Sequence, residues 1–227
     1  MTTYTPYKPY ISIKRKIHLN EQLTCAANGC TQKRDRIANF CSKHFGAYSL
    51  YGHPHSKKLL RSKDYQREYD LTKEFIQTHI GHIGIGQALE FINVWLASDK
   101  TSTPANASTR DDIRRLNDHG VTALDILIES SSVWLLSKFN PRRFPSDDAL
   151  TKALGNSILY LAPRKVIPTW MNGVPKKHYV MITPKARKDV GKLFSVNLGL
   201  LFINLASTIE NTLQTKETHK MNYMTPF

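Results

Sequence analysis

Apolar residues recur at helical spacing along much of the chain, and this pattern predicts a mainly helical protein. Before residue 165 the pattern predicts helices over 64–80, 87–97, 111–117, 122–138 and 146–161. Ser146 precedes Asp147 and Asp148, a combination that caps a helix start and complements the helix dipole. A further helix is predicted to begin with Pro184 at its first position.

Two short runs between these helices have the composition of β-strands. Residues 166–167 and 178–182 are rich in β-branched and aromatic side chains. Asn172 and Gly173 lie between the two runs and form a strong turn signal. The sequence therefore predicts a small β-hairpin inside an otherwise helical region.

The most apolar segment of the chain covers residues 193–213. Its uninterrupted apolar part is too short for a membrane span, and Asn197 and Asn204 make it too polar. A helix that is apolar around most of its circumference is normally buried. We therefore expect this segment to fill the core or to bind a protein partner or a second copy, and we expect no membrane contact.

Composition also suggests how the chain is divided. Tyr4, Tyr7 and Tyr10 recur with Pro6 and Pro9, a spacing that suits an extended arm, with a disordered tail as the equal alternative. Residues 98–109 are small and polar, as in linkers. The predicted regions are an arm (1–20), a basic metal-binding module (21–62), a helical hairpin (63–98), a helical domain (110–215) and a loosely ordered tail (216–227).

The three cysteines of the chain cluster with a histidine. Cys25 and Cys30 are followed by Cys41 and His44, in the pattern Cys-x4-Cys and then Cys-x2-His. Three thiolates and one imidazole complete a tetrahedral shell for a structural Zn²⁺ ion. A disulfide would leave one cysteine over, and the first residues lack the apolar run of a secretory signal. We predict structural zinc in an intracellular protein, with free or catalytic thiols as the alternative.

The residues around these ligands resemble the small zinc-binding knuckle of phage and mobile-element DNA-binding proteins. The similarity covers residues 23–55 and lies in Cys25-Ala-Ala-Asn-Gly29-Cys30, Cys41-Ser-Lys-His44 and Tyr51-Gly52-His53-Pro54. It implies a treble-clef-like or zinc-ribbon-like fold and a DNA-binding role, which in some HNH-type homing endonucleases is an accessory one. The HNH motif itself is missing, so the resemblance does not imply nuclease activity.

Basic charge is concentrated around this segment. The formal net charge is +14 and the pI is about 9.7. Residues 1–70 hold 13 Lys and Arg against 5 acidic residues. Such a patch neutralises phosphates and releases counterions, whereas the alternative is a solvated basic surface without a partner. The predicted nucleic-acid contacts here are Lys14, Arg15, Lys16, Lys33, Arg34, Arg36, Lys43, Lys57, Lys58 and Arg61.

Residues 110–195 resemble a winged-helix domain. The order is helices, a hairpin and a helix, and the junction Tyr179-Val-Met-Ile-Thr183-Pro184-Lys-Ala-Arg187 matches the wing-to-helix junction of such domains. The resemblance implies that the helix 146–161 enters the DNA groove, with Lys152, Asn156 and Ser157 exposed. Lys176 and Lys177 would then contact phosphates. A generic α+β domain with a surface hairpin is the alternative.

These observations combine into one expected architecture and function. The fold is mainly α with a small β-hairpin, in which an N-terminal zinc knuckle precedes a helical, winged-helix-like domain. We expect a cytoplasmic DNA-binding protein of a phage or mobile element that acts on duplex DNA as a regulator or adaptor. RNA is the alternative polymer. An accessory subunit of a nuclease or recombinase and a zinc-containing assembly protein are the alternative functions, and no catalytic residues are predicted.

Overall fold

The computed structural model describes residues 12–100, 109–164, 166–171 and 174–224, and in these ranges the chain is mainly helical. Within residues 167–171, 174–178 and 216–224 only the backbone is described. The chain divides into two compact units, Met1–Lys57 and Lys58–Phe227. Each unit has its own buried cluster of side chains.

The N-terminal unit contains two short helices. Helix α1 spans Ile13–Glu21, and the Ser12 side chain caps it by accepting a hydrogen bond from the Arg15 N–H at 3.4 Å. Helix α2 spans Ser42–Tyr51 and has Cys41 as its N-cap residue. The buried cluster consists of Cys25, Ala27 and Cys41, with Cys30 and Phe40 packed against it. So small a cluster indicates that apolar burial alone does not hold this unit together.

The C-terminal unit contains most of the secondary structure. Its helices are α3 (Gln66–Thr78), α4 (Ile83–Ala97), α5 (Arg110–Asp118), α6 (Ala123–Phe139), α7 (Asp147–Leu159) and α8 (Pro184–Met224). The starts of these helices follow from local capping. Thr122 and Asp125 form a capping box at α6, and the Ser146 hydroxyl accepts from the Ala149 N–H at α7.

A single core joins these helices, so the predicted helical hairpin (63–98) and helical domain (110–215) are not separate bodies. Ile76 of α3, Ile92 of α4 and Leu127 of α6 are fully buried in the same cluster as Phe194 and Phe202 of α8. The rings of Trp95 and Phe194 pack edge to face, with their centroids 5.1 Å apart. The polar composition of the linker between them (98–109) carries no information about the packing on either side of it.

Helices α7 and α8 cross at two glycines. A Cβ atom on Gly155 would lie 1.9 Å from the carbonyl oxygen of Arg187, and one on Gly191 would lie 1.8 Å from that of Thr151. Neither distance is compatible with a side chain, so only glycine permits this close backbone contact. The contact buries α7 on nearly all sides, with Lys152, Asn156 and Ser157 exposed by only 4 %, 4 % and 5 %.

Two antiparallel strands lie between α7 and α8. Strand β1 spans Val166–Met171 and strand β2 spans Val174–Tyr179, with Val166 opposite Tyr179 and Met171 opposite Val174. The strand predicted over 178–182 therefore ends three residues early. Ile182 instead is buried in the core beside the start of α8, which draws the chain out of the sheet. The predicted turn residues Asn172 and Gly173 lie outside the described residues.

Two regions at the ends of the chain differ from expectation. The predicted arm (1–20) is helical from Ile13, because Ser12 supplies an N-cap beyond the last proline of that stretch. Its tyrosines lie outside the described residues. The predicted loose tail (216–227) continues α8 as far as Met224, since no proline interrupts the chain between Pro184 and Pro226.

Helix α8 has two apolar faces. One face packs into the core through Phe194, Phe202 and Ile209. Val196, Leu200 and Ile203 lie on the opposite face and are 72 %, 74 % and 51 % exposed. The segment Pro184–Thr215 is long and apolar enough to cross a membrane, a criterion that a core helix also meets.

Candidate metal centre

The four predicted ligands come together in the N-terminal unit. Cys25 follows Thr24, which forms an isolated antiparallel bridge with Lys33. Cys30 closes a turn in which its N–H donates to the Ala27 carbonyl oxygen at 3.1 Å. Gly29 precedes Cys30 with a φ of 74°, a left-handed conformation that other residues adopt only with strain. Cys41 is the N-cap residue of α2, and His44 lies in its first turn.

The ligand atoms have the spacing of a closed tetrahedral site. One atom from each of Cys25, Cys30, Cys41 and His44 lies within 4.8 Å of all the others. His44 Nδ1 is 3.5 Å from Cys25 Sγ and 3.3 Å from Cys41 Sγ, and the Sγ atoms of Cys30 and Cys41 are 4.0 Å apart. Zn–S bonds of about 2.3 Å at tetrahedral angles place two sulfurs about 3.8 Å apart. The four residues can therefore hold one metal ion and leave no ligand position open.

Hydrogen bonds prepare Cys25 for metal binding. Burial raises the pKa of the Cys25 thiol, but hydrogen bonds from the backbone of Cys41 and Ala27 and from His44 outweigh this effect and lower the pKa to about 6. The Cys41 N–H donates to Cys25 Sγ at 3.2 Å. At neutral pH this sulfur is therefore largely thiolate, the form that binds metal.

Cys30 is perturbed in the opposite direction. The backbone hydrogen bond with Gln32 lowers the pKa of its thiol, but burial and the neighbouring sulfurs of Cys25 and Cys41 outweigh this and raise it. Three thiolates this close repel one another unless a cation lies between them. A divalent metal ion would therefore stabilise this arrangement of sulfurs, which is unfavourable without a metal.

Asn20 ties α1 to the loop that carries the ligands, a contact that the sequence did not predict. Its side-chain amide donates to the carbonyl oxygens of Arg36 at 2.8 Å and Ala38 at 2.7 Å. Arg36 has a φ of 49°, which is uncommon for a residue with a side chain. The Asn20 amide thus holds a strained turn midway between Cys30 and Cys41.

Two of the predicted nucleic-acid contacts take part in the same framework. Lys33 Nζ donates to the Gln22 carbonyl at 2.8 Å. The Arg34 guanidinium donates to the Thr24 carbonyl at 3.0 Å and to the Asn20 side chain at 3.3 Å. Part of their hydrogen-bonding capacity is therefore engaged in holding the knuckle.

The other predicted contacts are distributed over both units. In the N-terminal unit, six exposed side chains have no hydrogen-bond or ion-pair partner among the described residues: Lys14, Arg15, Lys16, Arg36, Lys43 and Lys57. Lys58 and Arg61 belong to the C-terminal unit, where Lys58 lies 3.9 Å from Asp64. The side chains of Lys176 and Lys177 lie outside the described part of the chain.

The groove-helix role predicted for residues 146–161 is wrong. Lys152, Asn156 and Ser157 are buried, and Lys152 pairs with Asp148 at 3.1 Å. The physical reason is the glycine contact between α7 and α8, which places this face against another helix. A buried face cannot read base edges, so the resemblance to winged-helix domains is limited to the order of the elements.

A buried acid in the C-terminal unit also escaped the sequence analysis. The Tyr65 hydroxyl donates to Glu129 Oε1, and both side chains are buried where α3 meets α6. Burial raises the pKa of Glu129, although the hydrogen bond from Tyr65 opposes the shift. The predicted helix 122–138 holds two acidic residues, and Asp125 caps its start. Glu129 has no such role and lies within the apolar part of the helix, and that position was the available signal.

The resemblance of residues 23–55 to phage and mobile-element knuckles has no support beyond the ligand cluster itself. The cluster shows that a metal ion can bind, which is compatible with zinc and does not establish a treble-clef fold. Comparison of the chain with protein-family models, with curated proteins and with solved structures gives no match.

Proposed function

We propose that Met1–Lys57 is a zinc-stabilised nucleic-acid-binding module and that the chain acts as a regulator or adaptor of a phage or mobile element. The observation that carries this proposal is the surface charge of the module. It holds nine Lys and Arg against two acidic residues, and among residues 12–57 no ion pair forms. Cations that the fold leaves unpaired favour a polyanion as the partner.

Zinc is the metal that best fits this proposal. Three sulfurs and one imidazole nitrogen are the donors of structural zinc sites, whereas harder cations prefer oxygen. A closed shell supplies no position for a substrate or an activated water. The ion would therefore shape the module, and the phosphate contacts would come from the side chains around it.

The cations of α1 are the first phosphate contacts to test. Lys14, Arg15 and Lys16 are exposed in the first turn of α1, where the positive end of the helix dipole disfavours them. A phosphate beside this turn would relieve that repulsion and would be attracted by the helix end. These three cations make no ion pair or side-chain hydrogen bond among the described residues, so their position supports the nucleic-acid proposal.

The test is a salt-dependence series on duplex DNA, single-stranded DNA and RNA with the full chain. We expect the variant with Lys14, Arg15 and Lys16 changed to Glu to bind all probes more weakly. For duplex DNA the slope of log K against log salt should fall in magnitude by about 0.9 for each lost phosphate contact. Lys73, Lys185 and Lys192 are exposed in the C-terminal unit, and their reversal gives a control with the same change in charge.

The proposal fails if wild-type protein binds none of the three probes. It also fails if both triple variants reduce binding and slope equally, because the effect would then follow total charge and not the module. Zinc content should stay at one ion per chain in both variants, which excludes unfolding of the module as the cause.

A further inference from the structure

Helix α2 exposes an aromatic ring beside the metal site. Phe45 follows the ligand His44 directly, yet its side chain is 47 % exposed. Tyr48 on the same helix is half-buried and packs against Phe40, with ring centroids 5.2 Å apart. Phe45 makes no such ring contact with any residue that the structure describes. The metal knuckle therefore does not use this ring as core.

The surface around Phe45 is open to a flat partner. Ser42 and Ser49 lie three residues before and four residues after it, so helical spacing places these small side chains beside the ring. Gly46 comes next, and a Cβ atom at that position would meet nothing within 4 Å. Nothing in the fold requires a glycine here, although glycine weakens a helix interior. The absence of a side chain leaves room next to the ring for close approach.

The charge of the unit that carries this ring identifies the partner. Lys43 is exposed on a different side of the same helix, since it lies two residues before Phe45, and it lacks a hydrogen-bond or ion-pair partner among the described residues. The unit as a whole carries nine Lys and Arg against two acidic residues. An apolar protein partner would leave these cations unpaired beside the contact. A nucleotide can satisfy both the exposed ring and the cations, because its base stacks on an aromatic ring and its phosphate is anionic.

We propose that Phe45 stacks on an unpaired base of single-stranded nucleic acid while cations of the same unit contact its phosphates. This inference rests on the proposed nucleic-acid function and specifies the form of its substrate. A duplex hides the faces of its bases, so this contact is available only to unpaired nucleotides. The module then prefers single strands to duplexes of equal length.

The experiment uses the full chain and an oligothymidine that carries one 2-aminopurine, whose fluorescence changes when the base stacks. Phe45→Ala should weaken binding to this single strand roughly tenfold and abolish the fluorescence change. Binding to duplex DNA and its salt slope should not change. Phe45→Trp should keep both signals. Leu50→Ala is the matched control, since Leu50 is an apolar residue of the same helix that is 37 % exposed.

The outcomes separate this inference from the proposed function. If Phe45→Ala binds the single strand as wild type does, the stacking inference is wrong and the nucleic-acid function stands. If Leu50→Ala loses as much affinity as Phe45→Ala, or if duplex binding falls equally, general loss of apolar surface explains the result and overturns the inference. If wild type binds neither probe, both proposals are wrong. Unchanged zinc content shows that each variant is folded, and single-stranded RNA of matching sequence shows whether the sugar matters.

Discussion

Removal of the metal should unfold the N-terminal unit and leave the C-terminal unit intact. Among residues 12–57 the buried side chains are those of Cys25, Ala27 and Cys41, and even large apolar side chains contribute at most about 3 kcal/mol each on burial. Structural zinc contributes about 10–16 kcal/mol in comparable small units at neutral pH. The metal therefore supplies more stabilisation than the whole apolar cluster can, and its loss exceeds the usual stability of a small domain.

The structure also gives the expected change in circular dichroism on chelation. Helices α1 and α2 contribute 9 and 10 residues, whereas α8 alone contributes 41. Chelation should therefore remove only about one seventh of the α-helical circular dichroism. Amide hydrogen exchange should show that protection is lost in residues 12–57 and retained in the core of α6 and α8. Restoring zinc should reverse both changes.

Two results would refute this reasoning. Protection of residues 12–57 that survives complete chelation would mean that the sulfur cluster is not the centre of the fold. Loss of half or more of the helical signal would mean that the two units do not fold independently. At zinc concentrations that saturate wild type, Cys41→Ser should show the same helical signal and amide exchange as chelated wild type. Ser42→Ala, at the neighbouring exposed position, is the control and should bind one zinc ion.

Three further predictions concern the C-terminal unit. In a urea titration, Gly155→Ala should lower the free energy of unfolding of this unit by about 3 kcal/mol, because the new Cβ would lie 1.9 Å from the Arg187 carbonyl oxygen. The control Gly199→Ala should lower it far less, because the nearest atom to its new Cβ is 3.9 Å away. Burial raises the pKa of Glu129, so folding takes up a proton at pH values above the ordinary carboxyl pKa, and the stability of wild type falls there as the pH rises. The melting temperature of Glu129→Gln relative to wild type should therefore increase from pH 4 to pH 8. A relative melting temperature that decreases over this range would contradict the direction of the pKa shift. Arg187→Met should leave the unit equally or more stable, because the Arg187 side chain is 0 % exposed and none of its nitrogens has a hydrogen-bond partner among the described residues. A loss above about 2 kcal/mol in urea unfolding would show that its electrostatic interaction with Asp112 outweighs its desolvation.

The metal ligands could be predicted because their chemistry is local. Cysteine and histidine are uncommon residues, and Cys41 and His44 lie one helical turn apart, so the ligand atoms meet as soon as α2 forms. Long apolar helices were predictable for a similar reason. Residues 122–138, predicted from spacing alone, correspond to α6 within one residue at each end, since Thr122 and Asp125 mark its start.

Other features depend on contacts between distant residues. Lys152, Asn156 and Ser157 have the composition of an exposed face, and only the approach of α8 at Gly155 shows that they are buried. Lys33 and Arg34 were predicted as phosphate contacts because they are cations, but each also donates a hydrogen bond to a backbone carbonyl, of Gln22 and Thr24 respectively. The spacing of polar residues along a chain does not reveal which backbone oxygens lie near them.

The hydrogen bonds of Asn20 make the order of α1 depend on the metal. Nine residues with no buried side chain are too few for a helix that is stable by itself in water. The helix is held because Asn20 donates to the carbonyl oxygens of Arg36 and Ala38. We expect this turn to keep its shape only while Cys30 and Cys41 share an ion. When the ion leaves, Lys14, Arg15 and Lys16 become part of a flexible basic segment. On the proposed function, the occupancy of the metal site would therefore set how tightly the module holds a polyanion.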